Sequence, residues 1–361
     1  MKITFFIGSL YGGGAERVTC NLASYLVQHG DQAEILTMSE TERAYELDGQ
    51  VTVKTLLPLS NRKSKFWNTA IRIPRFWKYL RENQTDAYVV MLPKTIIMML
   101  MFRKIIKAKV IVAERNDPKA YSKKISNMLR KYAFRADGWV FQTEDAQTWY
   151  GNAIKNCKST VIPNAINPVF IRPQYMGEKR KVIAGAGRLN DQKNFGLLIR
   201  AFAKIATEFP EYNLIIYGKG DKEQELKSLV DSLGLQGRVE LPGNIQNIAE
   251  EMEKNTMFVL SSDFEGMPNA LMEAMALGLP CVSTDCPCGG PRYLIQDGVN
   301  GLLVPVGDAD KMAEAMRKIL SDSNTAGNMG EEAMKIVKDL APDKIYGQWK
   351  NFIDDIVSET D

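Results

Sequence analysis

The chain has 361 residues, 45% hydrophobic and 25% charged. This is a folded composition with room for two domains, and it excludes disorder, collagen and coiled coil as descriptions of the whole. The net charge of +3 hides an uneven distribution, since residues 1–165 carry 25 Lys+Arg against 14 Asp+Glu and residues 166–361 carry 21 against 29.

Single residue types narrow the chemistry further. One histidine, His29, excludes a His-rich metal centre. Five cysteines, Cys20, Cys157, Cys281, Cys286 and Cys288, are an odd number that argues against a secreted disulfide framework. Cys286-Pro287-Cys288 lacks a second Cys/His pair to complete a metal site and reads as two incidental loop cysteines.

In chain order, Ile3–Ile7 is a short apolar run behind one lysine. It lacks the longer core of a signal peptide and reads as a first strand. Gly8-Ser9-Leu10-Tyr11-Gly12-Gly13-Gly14-Ala15-Glu16-Arg17 follows and opens a helix over Glu16–Gln28. Glycines at a strand-to-helix turn let backbone N–H groups approach an anion. The three glycines are contiguous, so no window fits GxGxxG, which disfavours a nicotinamide-dependent oxidoreductase.

Further strands are expected at Ala33–Leu36, Ala87–Leu92, Val110–Ala113 and Trp139–Gln142, with a helix over Lys123–Phe134. Such alternation implies parallel βαβ units. The apolar run Ile96–Phe102 is seven residues, against about 20 needed to span a bilayer. The expectation is a cytosolic protein, or one attached to a membrane surface without crossing it.

Residues 62–135 hold 19 basic and 4 acidic residues. Within them, Arg62-Lys63-Ser64-Lys65-Phe66-Trp67 and Pro74-Arg75-Phe76-Trp77-Lys78-Tyr79-Leu80-Arg81 interleave cations with rings. That pattern suits an anionic membrane surface, with Lys65, Arg72, Arg75 and Lys78 as its cations. The plainer reading is a helix that packs its rings inward and solvates its charges. No nucleic-acid motif accompanies the charge.

Val161-Ile162-Pro163-Asn164-Ala165-Ile166-Asn167-Pro168, with Pro173 beyond, reads as a linker. Alternation then restarts. Strands are expected at Val182–Ala186, Leu214–Tyr217, Val239–Leu241, Met257–Ser261, Cys281–Ser283 and Leu302–Val304. Helices are expected at Phe195–Ala206, Lys222–Leu233, Asn269–Met275 and Lys311–Leu320. A last helix, about Lys344–Val357, carries Tyr346, Trp349, Phe352 and Ile353 in one apolar stripe. The fold class is α/β, with two doubly wound halves and ligand at the strand C-termini.

Three segments of the second half carry chemistry. Gly185-Ala186-Gly187-Arg188-Leu189-Asn190-Asp191-Gln192-Lys193-Asn194 puts two cations five residues apart at a strand–helix junction, as a diphosphate clamp requires. Ser261-Ser262-Asp263-Phe264-Glu265-Gly266-Met267-Pro268-Asn269-Ala270-Leu271-Met272-Glu273 sets Glu265 at a strand end and Glu273 one turn into a helix. Carboxylates there accept hydrogen bonds from sugar hydroxyls, and a helix N-terminus takes phosphate. Tyr217-Gly218-Lys219-Gly220-Asp221 and Leu241-Pro242-Gly243-Asn244 are strand-end turns that could wall a base. Asp308-Ala309-Asp310 has the form of a DxD metal motif but precedes a helix, and capping explains it.

Taken together, Glu265-x7-Glu273, Gly187-Arg188, Lys193 and Gly12-Gly13-Gly14-Ala15-Glu16-Arg17 resemble the retaining GT-B glycosyltransferases of family 4. The linker, Asp285-Cys286-Pro287-Cys288-Gly289-Gly290-Pro291-Arg292 and Asp297-Gly298-Val299-Asn300-Gly301-Leu302-Leu303-Val304-Pro305 extend the resemblance over nearly the whole chain. It implies two Rossmann-like domains, 1–165 for acceptor and membrane and 166–343 for the nucleotide-sugar, with 344–361 packing back on the first. It implies that Arg188 and Lys193 hold the diphosphate, Glu265 the donor sugar and Glu273 the ribose. Gly13, Gly14, Gly187, Gly218, Leu241 and the stretch Gly266, Met267, Pro268, Asn269 would complete the donor site. Glu16, Arg115 and Asn116 would meet acceptor or sugar. Many members carry a histidine near Glu114, where this chain has Arg115, so a histidine contact gives way to Arg115 or Asn116.

The resemblance therefore implies a UDP-sugar-dependent hexosyltransferase. Its acceptor would be a lipid-linked saccharide at the inner face of the cytoplasmic membrane, and it would need no metal. N-acetylgalactosamine, galactose and glucose types remain open as donors. The rival readings are a non-catalytic nucleotide-sugar-binding subunit and a transferase for a soluble acceptor.

Overall fold

The computed structural model describes residues 1–61 and 65–359. The chain divides into two units, residues 1–165 with 343–361, and residues 166–342.

In the first unit, β1 (Lys2–Ile7), β2 (Gln32–Thr37), β3 (Thr52–Thr55), β4 (Ala87–Met91), β5 (Lys109–Ala113), β6 (Gly138–Phe141) and β7 (Lys158–Val161) form one parallel sheet. Their order is β3-β2-β1-β4-β5-β6-β7. The helices are α1 (Gly14–Gln28), α2 (Lys65–Glu82), α3 (Pro93–Phe102), α4 (Lys123–Tyr132) and α5 (Glu144–Tyr150). A parallel strand covered on both faces is apolar throughout, and β4 is buried at every residue. The edge strand β3 is the opposite, exposed at three of its four residues.

α2 shows which side chains of the basic stretch face inward. Phe76 is fully buried, stacked on Phe6 at 4.8 Å and edge-on to Phe102 at 5.4 Å. Arg72 and Arg75 depart from the expected membrane-facing role. Arg72 donates from Nε to the Met38 carbonyl at 3.1 Å, and from Nη2 to Ser39 Oγ. Arg75 donates from Nη1 to the Leu56 carbonyl at 2.9 Å. Both arginines fasten α2 to the chain beyond β2 and β3, because strand-end carbonyls need donors. The exposed face instead presents Trp67, Ile73 and Trp77, with the Arg81 guanidinium 4.5 Å from the Trp77 ring centroid. Arg62, Lys63 and Ser64 lie outside the described residues.

In the second unit, β8 (Arg180–Ala186), β9 (Asn213–Tyr217), β10 (Val239–Gly243), β11 (Asn255–Leu260), β12 (Cys281–Thr284) and β13 (Leu302–Val304) make a parallel sheet ordered β10-β9-β8-β11-β12-β13. Its helices are α6 (Phe195–Ala203), α7 (Glu223–Ser232), α8 (Ile248–Met252), α9 (Asn269–Ala276), α10 (Gly290–Leu294), α11 (Ala309–Ser321), α12 (Ser323–Met334) and α13 (Ile336–Asp339). Leu241-Pro242-Gly243 belongs to β10 rather than following it, with a register shift between Glu240 and Gly243. Asp308 caps α11 by accepting from the Lys311 amide at 2.9 Å, and Asp310 pairs with Lys204 at 2.8 Å.

Each sheet reverses its strand order once, between β1 and β4 and between β8 and β11. Connections leave such a point toward opposite faces and open a crevice at the strand C-termini, where open α/β sheets hold ligands.

The last helix, α14 (Pro342–Ser358), buries Tyr346, Trp349, Phe352, Ile353 and Ile356. Phe352 and Ile356 press against Gly138 in β6, where a side chain would have about 3 Å of room. Lys350 meets Asp31 at 2.9 Å, and Asp31 also accepts from the N-terminal ammonium at 2.8 Å. Burial alone would raise that carboxyl, but these two hydrogen bonds outweigh it and hold it below its ordinary range. Among the described residues, no helix is long and apolar enough to cross a membrane.

Trp349 is fully buried, so Trp349→Ala should cost about 3–5 kcal/mol of stability through the cavity it leaves. Urea unfolding followed by circular dichroism measures this. A midpoint equal to that of the unaltered protein would contradict the packing described for α14.

Candidate functional site

The reversal between β8 and β11 brings together the two segments singled out in the second half. β8 ends at Ala186, and the chain runs through Gly187 and Arg188 to a short 3-10 turn, Asp191–Lys193. Asn190 caps that turn by accepting from the Lys193 amide at 3.2 Å. Asn194 then adopts a left-handed conformation (φ 41°), which asparagine tolerates better than most residues. Its side chain caps α6 at the Leu197 amide, 3.2 Å, and donates to Asp263 at 2.8 Å. The turn is thus locked to the loop that leaves β11. The Asp263 amide donating to the Gln192 carbonyl at 2.9 Å adds a second tie, and Ser261 Oγ donating to the Lys193 carbonyl at 2.8 Å a third.

The result is an ion pair at the sheet's switch point. Lys193 Nζ stands 2.6 Å from Glu265 Oε1, with side-chain exposures of 16% and 8%. The Glu265 backbone is clamped on both sides. Its amide donates to the Pro287 carbonyl at 2.6 Å, and its carbonyl accepts from the Cys288 amide at 2.7 Å. Cys286 lies behind this clamp. Burial, with the Glu265 charge adding to it, pushes its thiol up to about 12. None of the five cysteines, all of them among the described residues, is in a disulfide.

Close backbone approach explains two glycines. Gly218 has φ 137°, and a methyl group there would overlap the Gly187 carbonyl oxygen. At Gly290 a methyl group would overlap the Gly266 carbonyl oxygen. Both pairs press loops from neighbouring strands together around the ion pair. Met267 and Pro268 are buried, Asn269 begins α9, and Glu273 stands one turn into it, partly exposed. Arg188 is exposed. Leu241 is partly buried in β10.

The first unit places its expected residues differently. Gly13 precedes α1, Gly14 begins it, and Glu16 lies in its first turn. Glu114, at the end of β5, is buried and takes four donors. Tyr121 at 2.6 Å and the amides of Arg115 (3.0 Å) and Asn116 (3.3 Å) reach Oε1, while Tyr150 reaches Oε2 at 2.7 Å. Burial raises its carboxyl above the ordinary range, against the pull of these bonds.

Arg115 turns inward. Its guanidinium donates to Asn164 and lies 5.9 Å from the Trp349 ring centroid, while Nε and Nη1 are buried without a protein partner. Burial pulls it down to about 10. The guanidinium is thus packed against Asn164 and Trp349 of its own unit. His29 sits at the C-cap of α1, stacked on Tyr25 at 3.9 Å, at the helix end away from the glycine loop. Among the described residues, no group of three or more His, Cys, Asp or Glu side chains is placed to hold a metal ion.

Comparison with known proteins bears on this arrangement. The profile of the Glycosyltransferase Family 4 domain matches residues 12–170. That of the Glycosyl transferases group 1 domain matches residues 170–336. Among solved structures, sucrose-phosphate synthase from Thermosynechococcus elongatus aligns with a TM-score of 0.85 and 17% identity, over 99% of this chain and 100% of that one. The chain is a GT-B glycosyltransferase of the family 4 type.

This glycosyltransferase also shares its fold with Anabaena HepE in complex with UDP and glucose, at a TM-score of 0.85 and 20% identity over 98% of this chain and 100% of that one. A curated relative is the GalNAc-α-(1→4)-GalNAc-α-(1→3)-diNAcBac-PP-undecaprenol α-1,4-N-acetyl-D-galactosaminyltransferase of Campylobacter jejuni. It is 27% identical, over 99% of each chain. An uncharacterized glycosyltransferase of Haemophilus influenzae is 25% identical over 98% of this chain and 99% of the relative.

Gly218→Ala should force the β8 and β9 loops apart at a cost of about 1–3 kcal/mol. Calorimetry would show a lowered unfolding midpoint, whereas an unchanged midpoint would contradict the close approach of Gly218 to Gly187.

Proposed function

We propose that this glycosyltransferase transfers a hexosyl group from a UDP-sugar to a lipid-linked saccharide, with retention of configuration. The observation that carries the reading is the Lys193–Glu265 pair, an ammonium and a carboxylate 2.6 Å apart at the switch point of the second sheet. An ammonium there meets a diphosphate, and a carboxylate beside it accepts from a sugar hydroxyl. Arg188, five residues before Lys193, is the second cation for the diphosphate. Glu273 takes the ribose hydroxyls, and the backbone from Gly266 to Asn269 meets sugar and phosphate. Gly187, Gly218 and Leu241 shape the nucleotide side. In the first unit, Gly13 and Gly14 serve the donor, and Glu16, Arg115 and Asn116 serve the acceptor or sugar.

In the proposed step, the bond from the anomeric carbon to the diphosphate oxygen breaks. The acceptor oxygen bonds the same face of that carbon, and its proton passes to the departing diphosphate. Lys193 and Arg188 stabilise the charge that develops there, which assigns them the electrostatic role a divalent cation plays elsewhere. The acceptor class rests on the lipid-linked saccharide in the name of the Campylobacter relative. UDP as the nucleotide rests on the HepE complex.

For the membrane, we propose that the first unit rests on anionic lipid at the inner face of the cytoplasmic membrane through the exposed stripe of α2. Trp67, Ile73 and Trp77 would enter the headgroup layer, and Lys78 and Arg81 would meet phosphates.

Two experiments test these readings. Release of UDP from a panel of UDP-sugars, with and without lipid-linked saccharide, should identify one donor. Lys193→Ala should cut that turnover by about 100-fold or more with the circular-dichroism spectrum unchanged. Wild-type-like turnover in Lys193→Ala would remove the diphosphate role. Separately, Trp77→Ser with Lys78→Glu and Arg81→Glu should weaken co-sedimentation with phosphatidylglycerol vesicles by roughly ten-fold or more. Unchanged co-sedimentation would remove α2 from the membrane reading.

A further inference from the structure

The Lys193–Glu265 pair poses a problem if Lys193 also serves a diphosphate. Glu265 is 6% exposed, and a buried carboxylate that loses its counter-cation needs other donors. Two such donors are in place. Ser262, fully buried, donates from Oγ to Glu265 Oε1 at 2.7 Å. Gln192 Nε2 lies 3.4 Å from Glu265 Oε2 and donates to the Phe264 carbonyl at 3.0 Å.

Ser262 is itself held from behind, because Thr284 Oγ1 on β12 donates to the Ser262 carbonyl at 2.6 Å. The Gln192 carbonyl accepts from the Asp263 amide at 2.9 Å, which holds its backbone against the same loop. Neither side chain carries charge, so neither competes with Lys193 for an incoming anion.

We propose that Ser262 and Gln192 are positioning residues that keep the Glu265 carboxylate aimed at the donor sugar while Lys193 turns from Glu265 to the diphosphate. This rests on the reading of Lys193 and Glu265 given above. Of the two, Ser262 matters more. Its bond is short and to the same oxygen that Lys193 vacates, whereas the Gln192 contact is at the limit of hydrogen-bond length. Lys193 thus changes partner within the site, and the carboxylate does not follow it. In the free protein the carboxylate also holds the ammonium.

The test compares Ser262→Ala, Ser262→Thr and Glu265→Gln with the unaltered protein. UDP affinity is measured by titration calorimetry. Turnover is measured as UDP released from UDP-N-acetylgalactosamine, UDP-N-acetylglucosamine, UDP-galactose and UDP-glucose. Removing a buried hydrogen bond to a charged group should lower kcat in Ser262→Ala by roughly 10- to 100-fold. KM and UDP affinity should change by less than about three-fold, since the diphosphate contact is untouched. Ser262→Thr keeps the hydroxyl and should restore most of kcat.

Full kcat in Ser262→Ala beside an inactive Glu265→Gln overturns the positioning role while leaving the reading of Glu265 intact. Equal losses of kcat and UDP affinity, not rescued by Ser262→Thr, also overturn it, because they mark a collapsed loop. Full activity in Glu265→Gln, or no turnover of any donor by the unaltered protein, overturns the underlying reading and the proposal with it.

Discussion

A carboxylate cannot be taken out of water without donors to answer it, and much of the second unit's sheet end is arranged around that constraint at Glu265. Its side chain meets Lys193, Ser262 and Gln192, and its backbone is clamped by Pro287 and Cys288. These residues come from three stretches of chain that follow β8, β11 and β12. Strand order 3-2-1-4-5-6 puts the ends of the first and fourth strands of the unit side by side. The ion pair is therefore a consequence of topology as much as of residue choice. Glycine is required at Gly218 and Gly290 by the close backbone approach of Gly187 and Gly266 in the same loops.

The first unit repeats the topology without repeating the chemistry. At the end of β5, the buried Glu114 is answered by two tyrosine hydroxyls and two amides. The neighbouring cation, Arg115, leans on Asn164 and the Trp349 ring instead. α14 thus contributes to the packing beneath the end of β5, with Trp349 and Phe352 facing the first sheet. The charge difference between the two parts of the chain is of less consequence locally. The acidic part holds the Lys193 ammonium, and within the basic part Arg72 and Arg75 are consumed by backbone carbonyls.

What could be read from sequence follows burial. β1, β4, β5 and β8 are apolar runs covered on both faces, and the run itself marks them. β3 and β7 escaped notice because an edge strand of four residues with partly exposed polar side chains has no hydrophobic period to detect. α2 could not be oriented, since it carries rings on both faces, with Phe76 and Tyr79 buried and Trp67 and Trp77 exposed. The paired glutamates and the Gly187-to-Lys193 turn stood out through spacing. Ser262 did not, because a serine beside a loop is the commonest of turn residues, and its role depends on a fold that carries Thr284 to its back.

A crystal structure of the protein with UDP tests the central claim most directly. The account predicts the diphosphate at the carboxyl ends of β8 and β11, with Lys193 Nζ about 3 Å from a phosphate oxygen and Glu265 still bonded to Ser262. UDP bound elsewhere, or Lys193 still paired with Glu265 beside a bound diphosphate, would contradict it.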